Sequence, residues 1–294
     1  MAANQQQNGG VSKSASRDGA RRRSPWPLVV VAALFIIAPF LTWYGTWFGR
    51  SLSDEQIEKY LADEKSPRHA QHALSQIGEK ISRREPGAER WYGRVAELAR
   101  TSASPDVRMT AAWVMGGAHR SEEFRASLLR LLEDPEPIVR RNAALSLVGY
   151  NDARARTELL AMLRPYNVVS PTDGTAQTIL SVGTPVKREA MLVRLDVGEG
   201  KFAEVRSPLP GRVEKVLTKQ GDAVRAGDTL LALAPDTEQV RDALVGLSFV
   251  GMAEDLTEIE RYRAGVEGFS DEIKEEAARA SEAIKRRSAQ NSDK

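Results

Sequence analysis

The chain has 294 residues, with 42 Lys and Arg against 40 Asp and Glu, so its formal net charge at pH 7 is +2. Because this charge is nearly balanced and the basic excess lies in the tails, the composition argues against nucleic acid as a partner. The hydrophobic share of 41% is that of a mostly folded chain, and the absence of cysteine excludes disulfide bonds.

The N-terminal region divides into a polar tail and an apolar segment. Residues 1–24 are rich in Gln, Asn, Ser, Gly and Arg, which predicts a disordered basic tail. Residues 25–49 carry no charged side chain. As a helix, residues 26–48 would extend about 34 Å, enough to cross a hydrocarbon core of about 30 Å. The sequence therefore predicts one transmembrane helix over residues 25–49.

Charges on either side of this segment predict its orientation. Arg21, Arg22 and Arg23 precede it, whereas Asp54 and Glu55 follow it. By the positive-inside rule, the N-terminus lies in the cytoplasm. We expect a single-pass protein of a bacterial inner membrane, with the bulk of the chain periplasmic or otherwise extracytoplasmic. A cleaved signal peptide is the alternative, but its apolar region would be shorter and no small-x-small cleavage site follows.

A helical pattern repeats within residues 50–164. A proline-containing turn, a Val-Arg pair and a pair of alanines occur in order in residues 104–116 and again in 134–147, and a degenerate copy covers 66–78. The small residues at the centre of each predicted helix permit close packing of a neighbouring helix. Between these helices the sequence predicts second ones, with Leu or Val at helical spacing, over residues 89–100, 121–133 and 153–164.

This spacing of Pro, Val-Arg and Ala-Ala resembles HEAT repeats, also known as the HEAT-like repeats of phycobilisome lyases. The resemblance implies an α-solenoid over residues 50–164, in which each helix pair buries its apolar face against the next. It implies no lyase activity, because such action needs a bilin and a nucleophile and the chain contains no cysteine.

Residues 165–235 contain a second repeat, which predicts β-structure. One copy begins at Ser170-Pro171 and the other at Ser207-Pro208, and the second has one inserted residue. Each copy contains a mixed polar strand and an apolar strand bounded by glycine turns, predicted over residues 175–180, 190–195, 212–218 and 229–234. Neither half is large enough for its own core, so we expect the two to pair into one small sandwich.

Both copies resemble the biotinyl/lipoyl-like hammerhead, especially as it occurs in periplasmic adaptor (membrane fusion) proteins. The resemblance implies an all-β barrel-sandwich hybrid over residues 165–235. Carrier domains of that family modify a lysine in the hairpin between the halves, where this chain has Lys201. The residues beside Lys201 depart from the carrier pattern, so we expect no bound cofactor there. The long helical hairpin common in adaptors is also missing, since about a dozen residues separate the halves.

Helical patterns return in residues 236–287. The stretch 270–278 matches the register of the solenoid, which would make the β-module an insertion in, or a cap on, an array that ends with a further HEAT-like repeat. A charged amphipathic helix running free over residues 271–287 is the alternative, and the sequence leaves both open. Residues 288–294 are polar and predicted to be disordered.

The sequence predicts no catalytic residues and no metal site. Its three histidines are His69, His72 and His119, and no carboxylate or cysteine partner lies at metal-ligand spacing. Phosphate-binding glycine loops, nucleophile elbows and zinc-protease motifs are absent from the sequence. Trp91 and Trp113 fall within the helical repeat, where we expect them to belong to the core.

Three functions are compatible with these features. The preferred one is a non-catalytic, membrane-anchored scaffold that binds proteins of an inner-membrane or envelope complex through its solenoid and β-module. The second is an accessory or adaptor subunit of a transport or efflux complex. The third is a lipoyl- or biotin-type carrier modified at Lys201.

Overall fold

The computed structural model describes residues 51–63 and 65–292, together with the isolated positions 33, 35 and 37. Apart from those three positions, the predicted tail 1–24 and the predicted transmembrane segment 25–49 lie outside the described residues. Within the described part of the chain, none of the helices combines the length and the apolar character that crossing a membrane requires. The elements named below all belong to the compact unit that begins at Leu52.

Successive helix pairs account for most of this unit, and the described residues form five of them. The pairs are α1 (Asp54–Leu61) with α2 (Pro67–Ser82), α3 (Tyr92–Thr101) with α4 (Pro105–Met115), α5 (Glu122–Leu131) with α6 (Pro137–Val148), α7 (Arg156–Met162) with α8 (Thr237–Val250), and α9 (Leu256–Ala264) with α10 (Asp271–Ser292). Short 3₁₀ helices, Ala88–Trp91, Ala153–Ala155 and Ala253–Asp255, precede α3, α7 and α9.

The second helices of the pairs, α2, α4, α6, α8 and α10, pack on one another in chain order. Small residues at their centres allow this: Ala111, Ala143 and Ala243 each occupy the seventh position of their helix and are fully buried. A single apolar core runs from Ile57 to Ile284. The helices after residue 236 therefore continue the stack, and α10 packs against α8 and α9 instead of running free.

The end of α10 differs from the sequence prediction. Residues 288–294 were expected to be a disordered tail, but the helix continues through Ser292. The reason is that residues 288–292 contain neither Gly nor Pro to end a helix, and they include Ala289 and Gln290, which have high helix propensity.

The β-module lies between α7 and α8, that is, within the fourth helix pair. Its eight described strands are β1 (Tyr166–Val169), β2 (Gly174–Ile179), β3 (Pro185–Val186), β4 (Met191–Asp196), β5 (Phe202–Arg206), β6 (Gly211–Val216), β7 (Ala223–Val224) and β8 (Thr229–Ala234). They form two antiparallel sheets, in the orders β1-β8-β6-β3 and β5-β4-β2-β7. Both sheets contribute to one apolar core, which is separate from that of the helices.

The first and last strands of this module are neighbours. Tyr166 of β1 pairs with Leu233 of β8, so the chain enters and leaves the module at adjacent points. The flanking helices α7 and α8 consequently remain in contact with each other. The antiparallel sheets and the C-terminal helices predicted from the sequence are thus both present, and the module interrupts the helical array without separating its parts.

The four predicted strands correspond to β2, β4, β6 and β8. The other four were missed because they are short or lie at sheet edges, where the sequence pattern is weakest. β3 and β7 have only two residues each. Pro185 lies in β3, an edge strand, where its missing N–H removes no hydrogen bond from the sheet interior.

Polar contacts fix the module against the helices. Arg188, in the turn before β4, forms an ion pair with Asp106 in the first turn of α4. The side-chain amide of Gln239 in α8 donates to the carbonyl oxygen of Pro210 over 2.7 Å. The same amide accepts from Arg141 of α6, which is buried beneath this junction. Burial lowers the pKa of Arg141 to about 10, and Glu158 of α7 lies 3.8 Å from its Nε.

A buried ion pair joins the second and third helix pairs. Arg108 of α4 donates from Nε and Nη2 to both carboxylate oxygens of Asp134, over 2.7 and 2.9 Å. The two side chains are 11% and 5% exposed. Burial acts to raise the pKa of Asp134, but the hydrogen bonds from Arg108 and from the backbone N–H of Glu136 outweigh it, so the pKa is lowered.

Replacing Asp134 with Ala is therefore expected to lower the free energy of unfolding by about 3–5 kcal/mol, because Arg108 is left buried without its counter-charge. The folded-state pKa of Asp134 lies below its unfolded value of about 3.9. The stabilisation is thus present above that pH and is lost as the pH falls through the folded value. Urea denaturation at neutral and acid pH measures both effects.

The matched control is Asp271→Ala, because the Asp271 side chain is 88% exposed and pairs only with Lys274 among the described residues. No measurable change is expected there. A loss below about 1 kcal/mol for Asp134→Ala, as for a surface pair, would contradict the account of the buried pair.

Excision of the β-module is also expected to be tolerated. Replacing residues 165–235 with a short Gly-Ser linker should leave a cooperatively unfolding helical array, since α7 and α8 pack directly on each other. Circular dichroism and thermal unfolding of the excised chain measure this. A helical chain without a cooperative transition would mean that the array depends on the module for its packing.

Candidate protein-binding groove

A groove of about 620 Å³ crosses the exposed sides of α2, α4, α6 and α8. Gly78, Gly116 and Gly149 are among its lining residues, and the side chains of Trp113, Ser146 and His119 rest on them. One wall carries the indole ring of Trp113, and the opposite end carries carboxylates of α8. Four successive second helices therefore contribute to one continuous surface.

Trp113 corrects a prediction from the sequence. Trp91 is buried at 5% exposure as expected, but Trp113 is 56% exposed. The reason is the position of Trp113, which is the ninth residue of α4. The ninth residues of the other second helices are also accessible to solvent, namely Ser75 in α2, Leu145 in α6 and Val245 in α8. The sequence carries no clear signal of this exposure, because the apolar residues Leu145 and Val245 occupy the same position in α6 and α8.

Glycines set the position of two groove side chains. A β-carbon on Gly78 would lie 2.8 Å from Cζ3 of Trp113, so the indole rests against the backbone of α2. A β-carbon on Gly149 would lie 2.5 Å from Nε2 of His119, which rests on α6 in the same way. Tyr150 meets His119 edge to face and donates its hydroxyl to the carbonyl oxygen of Met115 over 2.9 Å. The rings of Trp113 and His119 are thus each supported by the backbone at a glycine.

The charge of the groove is negative. Among the described residues that line it, Glu238 and Asp242 carry formal charge, and no Lys or Arg is present. Burial raises the pKa of Asp242; Arg241, 3.7 Å away, opposes this shift, and the carboxylate of Glu238 adds to it. The groove thus combines an exposed aromatic face with two neighbouring carboxylates that have little positive charge to balance them.

Lys201 lies at the hairpin that joins β4 and β5. The turn residues Gly198, Glu199 and Gly200 all have positive φ, and the Lys201 N–H closes the turn on the carbonyl oxygen of Gly198 over 2.9 Å. The Lys201 side chain is 71% exposed and its ammonium lies 2.8 Å from Glu199. It is therefore a solvated ammonium at the end of a hairpin, accessible to a modifying enzyme and outside the groove lining.

The histidines form no common site. Nδ1 of His69 lies 2.8 Å from Oδ2 of Asp63, and its ring stacks on Tyr60 at 4.4 Å. Helical spacing does not reveal this contact, because Asp63 lies before α2, on the other side of the turn that leads into it. His69 lowers the pKa of Asp63 by this hydrogen bond. Nε2 of His72 faces Gln76 instead. In the described ranges no group of three or more His, Cys, Asp or Glu is placed to hold a metal ion.

Comparison with known families supports the helical assignment. A family profile for HEAT repeats matches residues 94–169, which extend from α3 to β1. The match supports the HEAT-repeat assignment of the helix pairs in that stretch, which the Pro, Val-Arg and Ala-Ala spacing predicts. A comparison with curated proteins finds no match.

Among solved structures, one match is to a single-chain, multi-domain long-chain acyl-CoA carboxylase. The identity is 21%, the TM-score is 0.24, and the match covers 34% of this chain and 10% of that one. The chain therefore spans about a tenth of that protein's length. A likeness at this TM-score assigns neither a fold nor an activity.

The seating of Trp113 on Gly78 can be tested by substitution. Gly78→Ala places a methyl group against the indole, so the ring is expected to turn outward, shifting its fluorescence emission to longer wavelength. The gain in helix propensity, about 1 kcal/mol, should be offset by the lost ring contact. Fluorescence and urea denaturation together measure this.

Gly93→Ala in α3 is the matched control, because no atom lies within 4 Å of its added β-carbon. It should raise the free energy of unfolding by about 0.5–1 kcal/mol without moving the emission maximum. Equal stabilisation and unchanged emission in both variants would show that the ring does not rest on α2.

Proposed function

We propose that the protein is a non-catalytic scaffold that binds partner proteins through its HEAT array and its inserted β-module, and that residues 25–49 anchor it in a membrane. The observation that best supports this function is the groove across α2, α4, α6 and α8, with Trp113 exposed in it. Helical repeat arrays use such extended surfaces to bind other chains. An exposed Trp on a rigid surface is also the residue type most enriched at binding hot spots.

The β-module supplies a second surface in this proposal. Its two four-stranded antiparallel sheets around one core support a barrel-sandwich hybrid. The exposed apolar side chains Val197 and Phe202 lie at the β4–β5 hairpin. The guanidinium of Arg194 lies 3.9 Å from the centre of the Phe202 ring and covers one of its faces. Exposed apolar side chains beside an edge strand are available for contact with a partner protein.

Membrane attachment rests on residues 25–49, which carry no charge. After alkaline carbonate extraction the full chain should remain in the membrane pellet, because a helix through the bilayer resists extraction whereas charge-based attachment does not. A chain lacking residues 25–49 should appear in the supernatant. Release of the full chain by carbonate would exclude the anchor and leave the scaffold proposal in place.

Partner binding is tested by affinity purification of the tagged full chain from gently solubilised native membranes. We expect a discrete set of proteins in stoichiometric amounts, reduced or lost when residues 165–235 are replaced by a linker. Identical recovery with the excised chain would assign binding to the helices alone, and recovery of no protein above the level of an unrelated tagged membrane protein would contradict the scaffold function.

The same purification separates the alternatives. Recovery of an inner-membrane transporter would identify the protein as an accessory subunit of a transport complex. The intact mass of the purified chain tests the carrier function, since biotin or lipoate on Lys201 would add its mass and Lys201→Arg would remove it. We expect an unmodified chain.

A further inference from the structure

We propose that the groove across α2, α4, α6 and α8 binds an extended segment of a partner protein that carries two Lys or Arg side chains, one seated against Trp113 and the other facing Glu238 and Asp242 at the opposite end of the groove. This inference rests on the proposed scaffold function and specifies the chemistry of the segment that the array recognises.

The first argument is the prepared aromatic face. Trp113 is more than half exposed, yet its ring is supported by the α2 backbone at Gly78. A ring that is already held in place loses little conformational freedom when a ligand binds. A guanidinium or ammonium over the face of a Trp strengthens binding about two- to thirty-fold, more when it is removed from water.

The second argument is charge complementarity. The whole chain contains 42 basic residues against 40 acidic ones, yet no Lys or Arg lines this groove, and Glu238 and Asp242 do. In the part of the chain that is described, Glu238 makes no hydrogen bond or ion pair, and Asp242 has Arg241 at 3.7 Å. A cationic side chain would neutralise this end of the groove, whereas an acidic segment or a nucleic acid backbone would be repelled.

The third argument is the extent of the groove. Residues of four successive second helices, α2, α4, α6 and α8, line it, so it offers contacts along the length of an extended segment. Asn142, also in the lining, donates Nδ2 to the carbonyl oxygen of Ile138 over 2.9 Å. Its Oδ1 remains able to accept a hydrogen bond from the backbone N–H of a bound segment. An extended chain suits this arrangement.

The test begins with a phage-displayed library of random twelve-residue peptides, selected against the purified full chain in detergent. Selected peptides should be enriched in Lys or Arg relative to the unselected library. A fluorescein-labelled peptide from the selection is then titrated against the full chain and its variants by fluorescence anisotropy, at low and high salt.

Two variants carry the prediction. Trp113→Leu keeps an apolar cover on Gly78 but removes the aromatic face, and should raise the Kd about five-fold or more. Glu238→Gln combined with Asp242→Asn should weaken binding several-fold at low salt and remove most of its salt dependence. The controls Phe249→Ala, an exposed aromatic of α8 outside the groove lining, and Glu272→Gln, an exposed acid of α10, should leave the Kd unchanged.

Several outcomes would overturn the inference: no enrichment of Lys or Arg, no selected binder, or equal binding to the groove variants and the controls. Binding that appears only after removal of residues 1–24 would mean that the chain's own basic tail occupies the groove, which also overturns the assignment to a partner. If Trp113→Leu co-purifies with the same proteins as the unaltered chain, this inference alone is rejected. If the unaltered chain co-purifies with no protein, the scaffold function itself is rejected.

Discussion

Close packing of the second helices is the constraint on which the rest of this structure depends. Ala111, Ala143 and Ala243 lie where neighbouring helices meet, and each is fully buried. Larger side chains at these positions would separate the helices and open the shared core that runs through all five pairs of the described unit. Because the packing is tight, the outward faces of the same helices lie side by side, and side chains from different repeats can form one surface.

The same packing explains how a β-module of some seventy residues is accommodated inside one repeat. An insertion is tolerated when its two ends are close together, so that the host elements keep their contacts. Pairing of β1 with β8 meets this condition. The buried Arg141 lies where the two parts join, between Glu158 of the array and the amide of Gln239 that reaches the module. Glu158 and Gln239 both belong to helices of the array, so this buried charge keeps its partners when α6, α7 and α8 are packed together.

Periodic features of this protein could be predicted from the sequence, and features that depend on three-dimensional neighbours could not. The helix pairs and the four central strands follow from repeated patterns of apolar, small and turn-forming residues. The hydrogen bond between His69 and Asp63 was missed because it crosses a turn, which no helical spacing describes. Trp113 was assigned to the core because large apolar residues usually lie there, although its position in the repeat is an outward one. The edge strands β3 and β7 have too few residues to show alternation.

The seating of the β-module has a mechanical consequence. An array of helical repeats is flexible along its length, because each repeat contacts only its neighbours and small rotations between repeats add along the stack. Here Arg188 ties the module to α4, and Pro210 ties it to α8, two repeats farther along. Through these two contacts the module connects α4 with α8 directly, in addition to the packing that runs through the intervening α6. The spacing between α4 and α8, which sets the width of the groove, is therefore fixed by a folded domain as well as by the stacking of successive helices.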